Sequence, residues 1–149
     1  MRPFRRRPHV QALVADGFLA AEAPALQTSI VAALDVRERA VPQPLRAELH
    51  VDRGAGDRLV LSWRNVVVGF VPPDRVAALA AQLPDRKAVV VVPGVVHPSG
   101  DIWRVWVGEE PADGFPAAPE GLDTLPVPEP TIAGLPIKLL RDRDADPHA

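Results

Sequence analysis

Four histidines, no cysteine and one serine lodged between a histidine and an aspartate are the side chains from which chemistry could be built in this chain. The histidines stand at positions 9, 50, 97 and 148, in separate stretches, with no H-x-H or H-x-x-x-H pair. A metal centre needs several ligands converging on one point, and this spacing assembles none. Ser99 lies in His97-Pro98-Ser99-Gly100-Asp101. A nucleophile needs a base within hydrogen-bond reach, and such groups meet from distant elements rather than as neighbours in a tight turn. The string therefore reads as a turn between two strands. Gly54-Ala55-Gly56 lacks the third glycine and the following helix of a phosphate cradle, and Asp52 and Asp57 beside it lack calcium-loop spacing. The expectation is a protein that is not an enzyme, with no catalytic residue, no metal and no small-molecule cofactor.

Aromatic and basic residues are more suggestive. Trp63, Phe70, Trp103 and Trp106 share one segment with Arg58, Arg64, Arg75 and Arg104. Aromatic rings beside guanidinium groups are how small barrels hold single-stranded nucleic acid. Trp63 and Trp103 fall on the apolar faces of their strands and read as core. Trp106 shares a face with Arg104 and reads as surface. Phe70, Arg75, Arg64, Arg104 and Trp106 are the candidate ligand-binding residues.

Periodicity supplies the elements that position them. Over residues 9–22, Val10, Leu13, Val14, Gly17, Phe18 and Ala21 make one helical stripe, which Pro24 ends. Residues 25–39 repeat the pattern with Leu26, Ile30, Ala33 and Leu34, closed by Pro42 and Pro44. The period changes at Leu45, where Leu45, Ala47, Leu49 and Val51 alternate with polar residues, as in a half-buried strand. A glycine-rich loop, a strand around Leu59–Trp63, a turn at Arg64-Asn65 and a strand from Val66 to Val71 follow. Pro72-Pro73-Asp74 opens a helix over 73–83, with Val76, Leu79, Ala80 and Leu83 on one stripe. Val89 to Val92 reads as a strand buried on both faces, and Ile102 to Val107 as the last strand. Together these predict an α+β fold: a small curled five- or six-stranded antiparallel sheet or barrel with a plug helix, preceded by two N-terminal helices.

The charge distribution divides the chain of 149 residues further. Net charge is −2, which excludes a general polyanion binder. Residues 1–24 form a basic segment, Arg2 and Arg5 to Arg7, followed by the first amphipathic helix. Residues 25–108 are the nearly neutral core. Residues 109–149 are a proline-rich acidic arm or tail, carrying Glu109, Glu110, Asp113, Glu120, Asp123 and Glu129 before any base. Pro116 to Pro119 makes a formal P-x-x-P without a flanking arginine. Ile132, Leu135, Ile137, Leu139 and Leu140 could dock as a late edge strand. Gln11, Asp16 and Glu22 break up the apolar start, which argues against export and a membrane anchor. With no cysteine, a reducing, cytoplasmic compartment is expected.

One stretch, Val66-Val67-Val68-Gly69-Phe70-Val71-Pro72-Pro73-Asp74-Arg75-Val76, resembles the strand, glycine-aromatic-aliphatic-proline and helix signature of HIRAN domains. The strand beginning at Leu45 is similar to the one preceding that signature, and the likeness spans about 27–108. HIRAN domains are small β-barrels with helices, found in DNA-remodelling and repair proteins and standing alone in bacteria. The resemblance implies binding of single-stranded DNA ends, with Gly69, Phe70 and Pro72 at the signature positions and Phe70 as the stacking aromatic. The family's polar N-x-x-D-x-N-A stretch is replaced here by Asp57 to Val67, with Asn65 its one echo. The expected function is a non-catalytic binding module for single-stranded nucleic acid. The alternative is an adaptor binding another protein, or itself, through the N-terminal helices and the proline-rich arm.

Overall fold

Alternating side chains build a sheet with two faces, and this protein covers both. The computed structural model describes residues 9–84, 88–126, 131–132 and 135–136. The main strands are β1 (His9–Gln11), β2 (Phe18–Leu19), β3 (Leu45–Arg53), β4 (Leu59–Trp63), β5 (Val66–Phe70), β6 (Val89–Ser99) and β7 (Ile102–Val107). The path β2-β7-β6-β3-β4-β5 is a curled six-stranded sheet with every neighbouring pair antiparallel. Just past β2, the chain meets β5 at an isolated bridge, where Ala21 and Phe70 exchange main-chain hydrogen bonds of 2.8 and 3.3 Å. β1 pairs in parallel with the start of β6. A separate hairpin joins β8 (Thr131–Ile132) to β9 (Leu135–Pro136).

The concave face holds the larger core. Leu49, Val51, Leu59, Leu61, Val68, Val92, Val96, Val105 and Val107 are almost wholly buried there. Glycine is required where strands crowd: a Cβ on Gly94 would lie 2.4 Å from Leu49 Cδ1 and 2.6 Å from the Trp106 carbonyl. Arg64 and Asn65 take φ of 50° and 66°, which matches the tight two-residue turn expected between β4 and β5. Helix α1 (Gln27–Ala33) drops Ile30 into this core, and Leu34 follows it. Helix α3 (Pro73–Ala80) contributes Leu79, flanked by Val76, Ala80 and Leu83.

Two helical expectations need correction. Residues 9–22 are strand, loop and strand: Phe18 and Ala20 face the concave core while Leu19 and Ala21 face outward. The apparent helical stripe fails at Leu13, which is 78% exposed. Gln82 holds that residue by its main chain, accepting from Leu13 N at 2.7 Å and donating to Leu13 O at 2.8 Å. Residues 25–39 are helical but divided. A 3-10 turn (Pro24–Leu26) leads into α1, Leu34 is extended, and Asp35 starts α2 (Val36–Ala40) through a reciprocal capping box with Glu38. Likewise β6 does not stop at Val92. It continues through Pro93 and His97 to Ser99, exchanging β1 for β7 along one edge. The turn expected around His97 is therefore confined to Gly100-Asp101.

The convex face carries a second layer. Leu19, Ala21, Val95, Trp106 and Leu122 are buried together, with Phe70, Phe115, Ala118 and Leu125 packed against them. Leu122, Phe115 and Leu125 belong to the acidic arm, so residues 109–126 lie on the sheet. Of the expected late edge strand, Ile132 and Leu135 pair with each other in the separate β8–β9 hairpin rather than with the main sheet; Ile137, Leu139 and Leu140 lie outside the described residues, as do Arg2, Arg5 to Arg7 and His148. No described helix is long and apolar enough to cross a membrane.

Candidate functional site

The five candidate residues do not form one surface. Arg64 extends from the β4–β5 turn toward the helices. It grips Glu38 through two nitrogens at 2.6 and 3.0 Å, donates to Ala33 O at 2.9 Å and lies 4.0 Å from the Trp63 ring centroid. The hydrogen bond from Arg64 holds the Glu38 carboxyl down at about 2, and the same bond raises the guanidinium. This is a bracket fixing α2 to the sheet.

Arg104 is also taken. Two 2.8 Å bonds join it to both carboxylate oxygens of Asp123 in the arm, and its side chain is 12% exposed. That pairing raises the Arg104 guanidinium and holds the Asp123 carboxyl below its ordinary value. Trp106 was expected at the surface because it shares a face with Arg104. The shared face is correct, but the arm buries the ring to 7% exposure and Trp106 Nε1 donates to Glu109 O at 2.8 Å. Phe70 lies half-buried at the β5 end, with Arg58 4.9 Å from its ring centroid. Arg58 in turn reaches Glu22 at 3.8 Å and donates to Pro126 O. Arg75, on α3, donates to Asp16 O at 3.0 Å and stands 5.4 Å from the Phe18 ring centroid.

Arg75 and Trp106 do share a cavity. A groove of about 470 Å³ runs between Gly17–Leu19, the Pro72–Arg75 start of α3 and arm residues 116–126. Phe18, Leu19, Pro72, Trp106, Leu122 and Leu125 make its lining apolar, and Asp74, Arg75 and Glu120 are its titratable groups. Pro73, Leu125 and Pro126 also line a neighbouring hollow of about 320 Å³ beside Arg58. A third depression, about 620 Å³, is polar and lies between Arg46, Pro93 and Glu109 to Ala112. The main groove suits an apolar ligand with a polar group at one rim.

Several site residues were not legible from spacing. Asp123 read as one acid among six, and nothing local says which arginine it meets. Arg58 was grouped with Arg64, Arg75 and Arg104 beside the aromatic residues but not taken as a ligand-binding candidate, although its alternation with Leu59 places it on the Phe70 side. His97 read as turn composition, yet it sits within β6 at 3% exposure, stacked on Phe115 with ring centroids 3.7 Å apart. Among the described residues, no three His, Asp or Glu side chains gather where a metal ion could sit. Compared with known protein families, with curated proteins and with solved structures, the chain matches none.

Proposed function

We propose that this chain is a non-catalytic binding module that takes an extended apolar stretch of another protein in the groove between Gly17–Leu19, Pro72–Arg75 and the arm. The observation carrying this reading is the lining: a groove of about 470 Å³ walled by Phe18, Leu19, Pro72, Trp106, Leu122 and Leu125, with charge kept to its rim. Proline rings and an indole edge suit an extended, proline-containing segment, which presents a preformed ridge at low entropic cost. The curled sheet is read as a small barrel closed at Ala21 and Phe70, with α3 as its plug. Selection of displayed peptides on the full chain tests the reading. Apolar, proline-containing sequences should be enriched, and Leu125→Asp should abolish the enrichment while leaving the thermal transition in place. Enrichment that survives Leu125→Asp would remove the groove from consideration.

Single-stranded nucleic acid is the second reading. It draws on the resemblance to HIRAN domains and on Arg75, whose side chain, among the described residues, makes one hydrogen bond, to Asp16 O, and one looser contact of 3.9 Å with Asp74, and so keeps further donors at the groove rim. Two facts weigh against it: Arg64 and Arg104 are already held by carboxylates, and the arm over Trp106 is itself acidic. Under this reading an oligothymidylate binds with an affinity that falls as salt rises, and Arg75→Ala weakens it.

A further inference from the structure

The outer layer seals an ionisable ring beneath the arm. His97 projects from the convex face of β6, 3% exposed, and its ring lies flat on Phe115 with 4° between the planes. Its Nδ1 is 3.2 Å from Pro98 O. Its Nε2 is buried and, among the described residues, has no hydrogen-bond partner. Buried polar atoms are nearly always paired, so the closed arm leaves this one in a costly state that only a neutral ring tolerates.

We propose that residues 109–126 are an acid-released cover, and that protonation of His97 lifts this arm from the sheet and lays bare Trp106 and Arg104. A protonated ring would carry a second N–H into the layer with no acceptor for it among the described residues. Arg104 stands directly opposite on β7, in register with His97, and adds like charge. The bond to Pro98 O acts in the other direction on the ring, as does Glu110 of the arm, the one carboxylate to do so among the described residues, while both oxygens of Asp123 are engaged by Arg104. Burial, the largest influence, holds the ring below its ordinary 6.5.

The released ring is in water and titrates near its ordinary value, so the released state binds the proton more readily. The closed state is fully favoured above about 6.5 and loses ground as pH falls below it, with the released fraction rising at most tenfold per pH unit.

The arm yields rather than the sheet because β6 is paired with β3 and β7 over most of its length and backed by the concave core. Among the described residues the arm is attached to the rest of the fold mainly through side chains, with one main-chain bond from Glu22 N to Leu122 O. Gly108, with φ of 111°, stands at its root. The inference does not depend on the ligand of the groove, although the arm is one of its walls, so release would also dismantle that site.

Trp106 supplies the readout, since its indole N–H is bonded to Glu109 O only while the arm is down. The indole signals of the full chain are followed by NMR from pH 7.5 to pH 5, with Trp106→Phe identifying the relevant peak. The Trp106 signal should leave its hydrogen-bonded position with a midpoint below 6.5, in step with the His97 ring proton, while those of Trp63 and Trp103 stay. His97→Phe keeps a flat ring against Phe115 and cannot be protonated, so its Trp106 signal should hold to pH 5. A Trp106 signal that never moves, that moves equally in His97→Phe, or that moves together with the other two indoles overturns the proposal. Should His97→Phe fail to fold, the wild-type comparison decides alone: a Trp106 midpoint that differs from the His97 midpoint overturns it.

Discussion

At the scale of single residues, the arm is held by few contacts of unequal strength. The Arg104–Asp123 pair has the geometry of a strong charge-assisted bond, two parallel contacts of 2.8 Å. Asp123 is 35% exposed on its side chain, so water screens the attraction, and Asp123→Ala should cost about 1 kcal/mol in urea unfolding. The pH dependence has a fixed direction. Arg104 holds the Asp123 carboxyl below 3.8, so its contribution is complete above that value and fades as pH falls beneath it. Acid sensitivity above pH 4 that persists in Asp123→Ala therefore belongs to another group. Gly17 is a tighter contact. A Cβ there would lie 2.3 Å from Trp106 Cζ2 and 2.6 Å from Cε2, so the indole must move. Gly17→Ala should lower stability by about 1–3 kcal/mol and shift the tryptophan emission; an unchanged thermal midpoint would show that the ring has room to yield.

At the scale of elements, alternation was the most legible signal, and helical periodicity held for α3 but misled at residues 9–22. Leu45 to Val51 declares its inner face residue by residue, and β3 follows that pattern with Ala47, Leu49 and Val51 buried. β4 does the same with Leu59, Leu61 and Trp63. Residues 9–22 carry a plausible helical stripe, but tertiary pairing overrides it: two or three residues at each end join strands far away in sequence, and no local window contains those partners. The break between α1 and α2 had a readable cause. Asp35 followed three positions later by Glu38 is a capping box, a helix start placed inside what looked like a continuous helix. Asp35→Ala should cost about 1 kcal/mol and loosen α2 specifically, seen as faster amide exchange at Arg39 and Val41. Of the five candidate residues, the facing of Arg104 and Trp106 was legible, whereas the cover over them was not, because an acidic, proline-rich sequence looks the same whether it is solvated or docked.

At the scale of the whole molecule, one sheet separates two hydrophobic layers of different size. The concave layer draws on every strand of the curled path together with α1 and α3, and the convex layer is completed by the arm. Local opening follows the elements with the fewest buried contacts. Amide exchange should therefore be fastest at Gly114 and Leu122, intermediate at Ala21 and Phe70 where the sheet edges meet, and slowest at Leu49 and Val92 in the β3–β6 ladder. Exchange of all these amides at one common rate would mean that arm and sheet open only together.

The two ties from the N-terminal loop, one to α3 and one to the turn just after it, bear on the groove's width. Arg75 fastens the Asp16 carbonyl and Gln82 fastens the main chain of Leu13, so the segment carrying Phe18 and the helix facing it are laced together at two points. These opposite banks of the groove cannot spread apart unless both laces part, which makes its gauge a property of the folded chain. A guest must match that gauge, and bulk that exceeds it would meet resistance from Arg75 at the groove and from Gln82, which lies outside its lining.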